Sequence, residues 1–227
     1  MKQFLYFRLL LLATTATVLF ASSIHAQKAV DKTVATVSDG VRTELITYSD
    51  LLWQLALQPG ISVTEPTTQD LNRALQTMIN QRLFALEAER LPRTAPTDEE
   101  VGAEITRLLL YFPTSADFEK RLKQVGFTSV KDDNFENIIR QRIAIDKYLD
   151  FRFRSFIVIT AEDEAKYYRD VFVPDFRAKN RGLLMPTLNE KRAEIRSILE
   201  EQRVATGIET FLDEAKRRAQ IEILSEV

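Results

Sequence analysis

The sequence predicts a mostly α protein whose β structure is confined to its two ends. Three observations predict it. β-prone runs stand at 34–37, at 41–46 and again at 221–224, while between them apolar residues recur at helical spacing. A hydroxyl residue followed three positions later by a carboxylate recurs at Thr47/Asp50, Thr67/Asp70, Thr97/Glu100, Thr114/Asp117, Ser129/Asp132, Thr160/Asp163 and Thr187/Glu190. That is the capping-box spacing, in which the hydroxyl accepts the N–H of the third residue and the carboxylate reaches back to the cap. Finally, the apolar stretches stop at Pro59-Gly60, Pro92, Pro113 and Gly126, residues that break or cap helices.

Each element follows from local chemistry. Asp39-Gly40 between the first two β-prone runs signals a hairpin, because Gly readily takes the positive φ that tight turns need. Residues 50–58 form a short helix. Residues 69–90 form a long one, with Leu71, Leu75, Met78, Ile79, Leu83 and Leu86 at helical spacing. Residues 98–112 stop at Pro113, and their last turn, 108–112, is apolar all round. Residues 115–125 end at Gly126. Residues 131 to about 153 carry Phe135, Ile138, Ile139, Ile143 and Leu149, and 161–172 make a sixth helix. The stretch 173–186, with Pro174, Gly182 and Pro186, reads as an irregular linker. The last helix runs from 188 to about 219, with Ile195, Ile198, Leu199, Ile208, Phe211 and Leu212 on its apolar side and Gly207 as a weak point.

The N-terminus has the form of a leader. Lys2 and Arg8 precede an apolar stretch, 9–20, and Ile24-His25-Ala26 closes it with a cleavage-site pattern. Threonines break the apolar run, which falls short of the roughly 18–20 residues that span a bilayer. A cleaved secretory signal at 1–26 is therefore expected, with no membrane span after it. The chain's only histidine is His25 and it has no cysteine, so the expected mature chain, 27–227, has neither imidazole nor thiol. Removing Lys2 and Arg8 from 31 basic residues leaves 29 against 33 acidic ones, a formal charge of −4. A mixed, mildly acidic surface without a basic stripe gives nucleic acid no footprint. In an oxidising compartment such a chain relies on packing rather than disulfides. No cofactor and no metal are expected.

The order of blocks resembles the SurA family of periplasmic chaperones, with PpiD- and PrsA-like relatives. The residues that carry the resemblance are VDKTVATVSDGVRTELITYSDL at 30–51, LQTMINQRLFALEAER at 75–90, FENIIRQRIAIDKYLDFRF at 135–153, IVITAEDEAKYYRD at 157–170 and the closing KRAEIRSILEEQRVATGIETFLDEAKRRAQIEIL at 191–224. The resemblance implies a helical chaperone body in which a small antiparallel sheet joins the N-terminal hairpin to the C-terminal strand. Residues 27–172 would form the N-terminal chaperone region, and 187–227 the helix and strand that complete it. Family members usually carry parvulin-type prolyl isomerase domains before the last helix. Here only the linker 173–186 occupies that place, so the resemblance implies the chaperone module without the isomerase, and it carries no catalytic residue.

What the resemblance implies is ATP-independent, non-enzymatic holding of unfolded exported or outer-membrane proteins in the periplasm. The candidate client-binding residues are Trp53, Leu110, Tyr111, Phe112, Phe127, Tyr168, Phe172 and Phe176. Each has a plainer reading as core packing. Phe151, Phe153 and Phe156, alternating with Arg152 and Arg154, pose the same choice between a packed helix end and a sticky patch. Glu162, Asp163 and Glu164 read as solvated acids at a helix start. Two rivals stand beside the holdase. One is an assembly protein whose apolar surface makes a homodimer or docks one dedicated partner. The other is a carboxylate-dependent cell-wall hydrolase, which would show a deep pocket with two carboxylates that no helix cap explains.

Overall fold

The computed structural model describes residues 31–88 and 95–227. The expected leader at 1–26 and the expected helix end at Arg90 before Pro92 lie outside the described residues. Strand β1 (Thr33–Ser38) pairs antiparallel with β2 (Thr43–Thr47), with Thr36 opposite Leu45 and Val37 opposite Glu44. The turn between them is set by Asp39, whose Oδ1 accepts the N–H groups of Val41 (2.9 Å) and Arg42 (2.8 Å). The last strand, β3 (Gln220–Ile223), lies antiparallel on the other side of β1, giving the order β2-β1-β3. The chain's two ends therefore meet in one small sheet, as expected.

The helices are α1 (Tyr48–Ala56), α2 (Thr68–Ala88), α3 (Asp98–Leu109), α4 (Ser115–Gln124) and α5 (Asp133–Leu149), followed by α6 (Ala161–Tyr167), α7 (Val173–Lys179) and α8 (Leu188–Arg218). Reciprocal capping boxes close the starts of α1, α3, α6 and α8 at Thr47, Thr97, Thr160 and Thr187. Thr67 and Asp70 exchange the same pair of bonds ahead of α2. The Ser129 box does not form. Asp132 is itself the cap of α5, accepting from Asn134 N–H (3.0 Å) and holding Thr128 through its N–H (3.0 Å) and hydroxyl (2.8 Å). An aspartate can serve as cap or as box partner, and here the nearer bonds win.

Two further expectations are corrected. The fifth helix does not run unbroken to 153: Asp150–Arg154 is a π-helical turn, with the Ser155 N–H reaching back five residues to the Asp150 carbonyl (3.1 Å). A second π turn, Tyr168–Phe172, follows α6 and passes directly into α7. Much of the supposed linker is therefore helix. Pro174 stands in the first turn of α7, directly after the π turn, where the i→i−4 ladder is already shifted. Only 180–187 is non-helical, and it turns the chain back into α8.

Two cores result. The first packs Ala35, Val37 and Ile46 of the sheet on Leu51 and Leu55 of α1, Leu75, Ile79 and Phe84 of α2, Tyr148 of α5 and Phe211 of α8. The second gathers Val101 and Leu108 of α3, Phe118 and Leu122 of α4, and Phe135 and Ile139 of α5. Arg121 of α4 ties them together: its guanidinium donates to the carbonyls of Leu55 (2.9 Å), Ala56 (3.2 Å), Gln58 (2.9 Å) and Ile61 (2.8 Å). These are the carbonyls at and beyond the C-terminal end of α1, which a cation both bonds and favours electrostatically. Gly207, expected as a weak point, has a packing role. A Cβ there would lie 3.0 Å from the Phe153 ring, so any side chain would press on the ring that sits between the first π turn and α8.

Candidate functional site

The eight candidate residues divide between core and surface. The last turn of α3 shows why. Leu110, Tyr111 and Phe112 each donate to the carbonyl three residues back, at 3.1–3.2 Å, so the helix tightens as it ends. That rotation sends Phe112 inward (7% exposed), 4.6 Å from the Phe118 ring, and leaves Leu110 (81% exposed) and Tyr111 outside. Phe127 is also core, 5% exposed. Gly126, with φ +101°, lets the chain reverse after α4 so that Phe127 N–H reaches Leu122 O (3.0 Å) and Gly126 N–H reaches Lys123 O (3.3 Å). This is the double bond of a Schellman end, and its apolar residue folds back on the helix. Phe112 and Phe127 are thus removed from the open surface. Trp53 is half-buried against Phe127 (5.2 Å) and donates its indole N–H to Val125 O (3.0 Å), which fixes α1 on α4.

Tyr168, Phe172 and Phe176 form a stacked ladder at four-residue spacing, with centroids 5.5 and 5.8 Å apart. The three rings are half-buried. Tyr168 hydroxyl donates to Pro186 O (2.6 Å), and Lys191 Nζ lies 5.9 Å from the Phe172 ring centre, so the return segment and the start of α8 cover part of the ladder. The helical run from α6 to α7 makes an arm beside α8.

Charge pins this arm. Glu164 is not the solvated acid the sequence suggested. It is 1% exposed, and Arg196 (2.6 Å) and Arg192 (3.2 Å) of α8 clamp its carboxylate. Asp163 combines its cap bond with an ion pair to Arg203 (2.9 Å), and the Thr160 N–H and hydroxyl, with Arg203 beside them, hold it below the usual carboxylate range. Arg203 also donates to Val158 O. Arg154 bridges Asp150 (3.1 Å) and Glu201 (2.7 Å). Glu162, Asp163 and Glu164 have no common focus; two of them serve the helix start and the clamp.

Between the first π turn and α8 runs an open groove of about 670 Å³, with Phe153, Leu199 and Phe211 along it and Gln202, Thr206 and Glu214 at its sides. Arg152 lies over it, its guanidinium 5.8 Å from the Phe153 ring centre and 5.6 Å from that of Phe211. Next in sequence, Phe151, Phe156 (73% exposed) and Val158 stand in solvent, with Phe151 and Phe156 in edge-on contact at 6.0 Å. Sequence reasoning had named Phe151 and Phe156 without choosing their side. It missed the groove, because the π turn that forms its other wall was not expected. A smaller crevice of about 150 Å³ lies between α1, α2 and α5 and contains Glu44, Asp50, Arg82 and Arg142. Asp50 there is the carboxylate partner of the Thr47 capping box and pairs with Arg82 (3.4 Å). Among the described residues, no group of three or more acidic or histidine side chains is arranged to hold a metal ion, and no helix is long and apolar enough to cross a membrane. No protein-family model matches the chain, and no curated protein matches it in sequence.

Proposed function

We propose that this protein is an ATP-independent holdase for unfolded exported polypeptides, acting in the periplasm on clients bound for the outer membrane. The observation that carries the reading is the α8 groove with Phe151, Phe156 and Val158 at its approach. Large apolar side chains exposed on a surface, close in sequence to residues that line an open groove, suit an extended chain of alternating apolar residues. Each contact is shallow, so retention comes from several weak contacts on one client. Arg152 borders the apolar residues and offers backbone carbonyls of a client a donor. The ladder Tyr168–Phe172–Phe176 extends the aromatic surface along the arm. The sequence resemblance to SurA-like chaperones supports the same reading, with a helical arm where an isomerase domain would stand. No catalytic residue is assigned.

The test is dilution of a denatured outer-membrane protein into buffer, with and without this protein and without nucleotide, followed by light scattering. Suppression at stoichiometric ratios is expected. Undiminished scattering, or a stable dimer that occupies the groove and leaves aggregation unchanged, would contradict the proposal.

A further inference from the structure

The far end of the arm carries a chemistry that client holding does not use. Between 173 and 187 there are three cations, Arg177, Lys179 and Arg181, and one acid, Asp175. Lys179 takes that acid (2.9 Å), and among the described residues Arg177 and Arg181 have no acidic partner. A local excess of two positive charges thus stands on a chain of net charge −2. At the same tip Leu183 (67% exposed) and Leu184 (93% exposed) project from the turn between α7 and α8. The turn is held by bonds from Asn180 N–H to Phe176 O (2.8 Å) and from Leu183 N–H to Asn180 O (3.2 Å), with the Tyr168 hydroxyl on Pro186 O at its far end, and both leucine side chains stay in solvent.

We propose that this tip is a contact for an anionic lipid surface, in which Leu183 and Leu184 enter the headgroup boundary while Arg177 and Arg181 meet lipid phosphates. Two adjacent leucines on a self-bonded turn are a small wedge, suited to shallow insertion rather than to an extended chain. Unpaired arginines beside them supply the attraction, since guanidinium groups bind phosphate in a fork geometry. Neither term alone holds a protein on a membrane, and the two together give reversible binding. Each cation near an anionic surface contributes a factor of about five, so the pair gives anionic over neutral membranes a preference of roughly 25-fold. The inference does not rest on the holdase reading, whose groove and exposed Phe151, Phe156 and Val158 lie outside this arm.

The experiment is flotation of the protein with vesicles of phosphatidylcholine alone and with added phosphatidylglycerol. Binding to the anionic vesicles, weak or absent binding to the neutral ones and release at high salt are expected. Leu183→Ser with Leu184→Ser should lower binding at least about tenfold, and Arg177→Gln with Arg181→Gln should remove the anionic preference. Both pairs are exposed, so thermal unfolding should be unchanged and aggregation suppression retained. Absence of flotation, equal flotation with neutral vesicles, or wild-type binding by the leucine pair variant overturns the proposal. So does a leucine variant that loses aggregation suppression without any vesicle binding to lose, which would make the tip a polypeptide contact. Vesicle binding by a protein that fails to suppress aggregation sinks the holdase reading alone.

Discussion

Glu164 is the buried charge on which the arm's attachment rests, and its partners differ from it in a way that fixes the sign of a mutant series. The carboxylate is 1% exposed, whereas Arg192 and Arg196 are half-exposed. Changing both arginines to Gln strands a buried anion without a counter-charge. Removing the partner of a buried ion typically costs about 3–5 kcal/mol, and water reaching the vacated arginine positions places this case near 3. Changing Glu164 to Gln keeps its shape and one carbonyl acceptor, while the two guanidinium groups turn outward to water. That substitution should cost about 1–2 kcal/mol. Urea unfolding at neutral pH measures both, read as a shift in midpoint at constant slope. The double arginine variant must be the less stable of the two. If it is as stable as Glu164→Gln, or loses under about 1 kcal/mol, the clamp does not hold the arm on α8.

Three further outcomes are expected. Arg121→Met removes four bonds to carbonyls at and beyond the end of α1 and should cost about 2–4 kcal/mol in the same assay, since charged hydrogen bonds are worth more than neutral ones but part of this end can regain water. Deleting 221–227 strips β1 of one of its two partners and removes Ile221 and Val227 from the edge of the core, so the melting temperature of the whole body should fall; an unchanged value would show that β3 is dispensable. Glu100 (held by Lys147), Glu201 (held by Arg154), and Asp132, Asp163 and Glu190 (held by the N–H groups of Thr128, Thr160 and Thr187) all lie below their ordinary values of 4.5 for Glu and 3.8 for Asp. A depressed carboxylate stabilises fully above its unfolded value and loses that contribution as pH falls through the folded one. Stability of the leaderless chain, which has no histidine, should therefore show no step near neutrality and decline as pH falls below the ordinary carboxylate values, while protonation of Asp146, whose carboxyl burial pushes up, works the other way. A step in melting temperature near neutrality would contradict this.

Local chemistry was legible and long-range pairing was not. The starts of α1, α3, α6 and α8 could be read from Thr47, Thr97, Thr160 and Thr187 because a capping box involves only four consecutive residues. The pairing of both chain ends in one sheet came from the resemblance, since no local rule joins Val37 to Ile221. Pro174 misled because a proline signals a break inside a helix and a start at its first turn, and only the π turn before it decides which. Glu164 looked solvated because its partners lie 28 and 32 residues further along. Within the candidate surface, the stacking of Phe176 on Phe172 was hidden because 173–186 read as a linker, whereas the helix continues to 179. The placement of Phe112 and Phe127 depended on how α3 and α4 end. Leu183 and Leu184, between Gly182 and Pro186, gave a signal that went unused: two leucines in a turn segment have no helix stripe to join.

The central claim is that an unfolded polypeptide lies along the α8 groove, and site-directed photo-crosslinking tests it most directly. A photoreactive residue is placed at Phe156, at Thr206 in the groove, and at Lys120 on α4 as a remote exposed control. Each variant is illuminated with an unfolded outer-membrane protein and with the same protein already folded. The account predicts adducts at 156 and 206 with the unfolded client only, and none at 120. No adduct at either groove position, or equal labelling at all three, would contradict it.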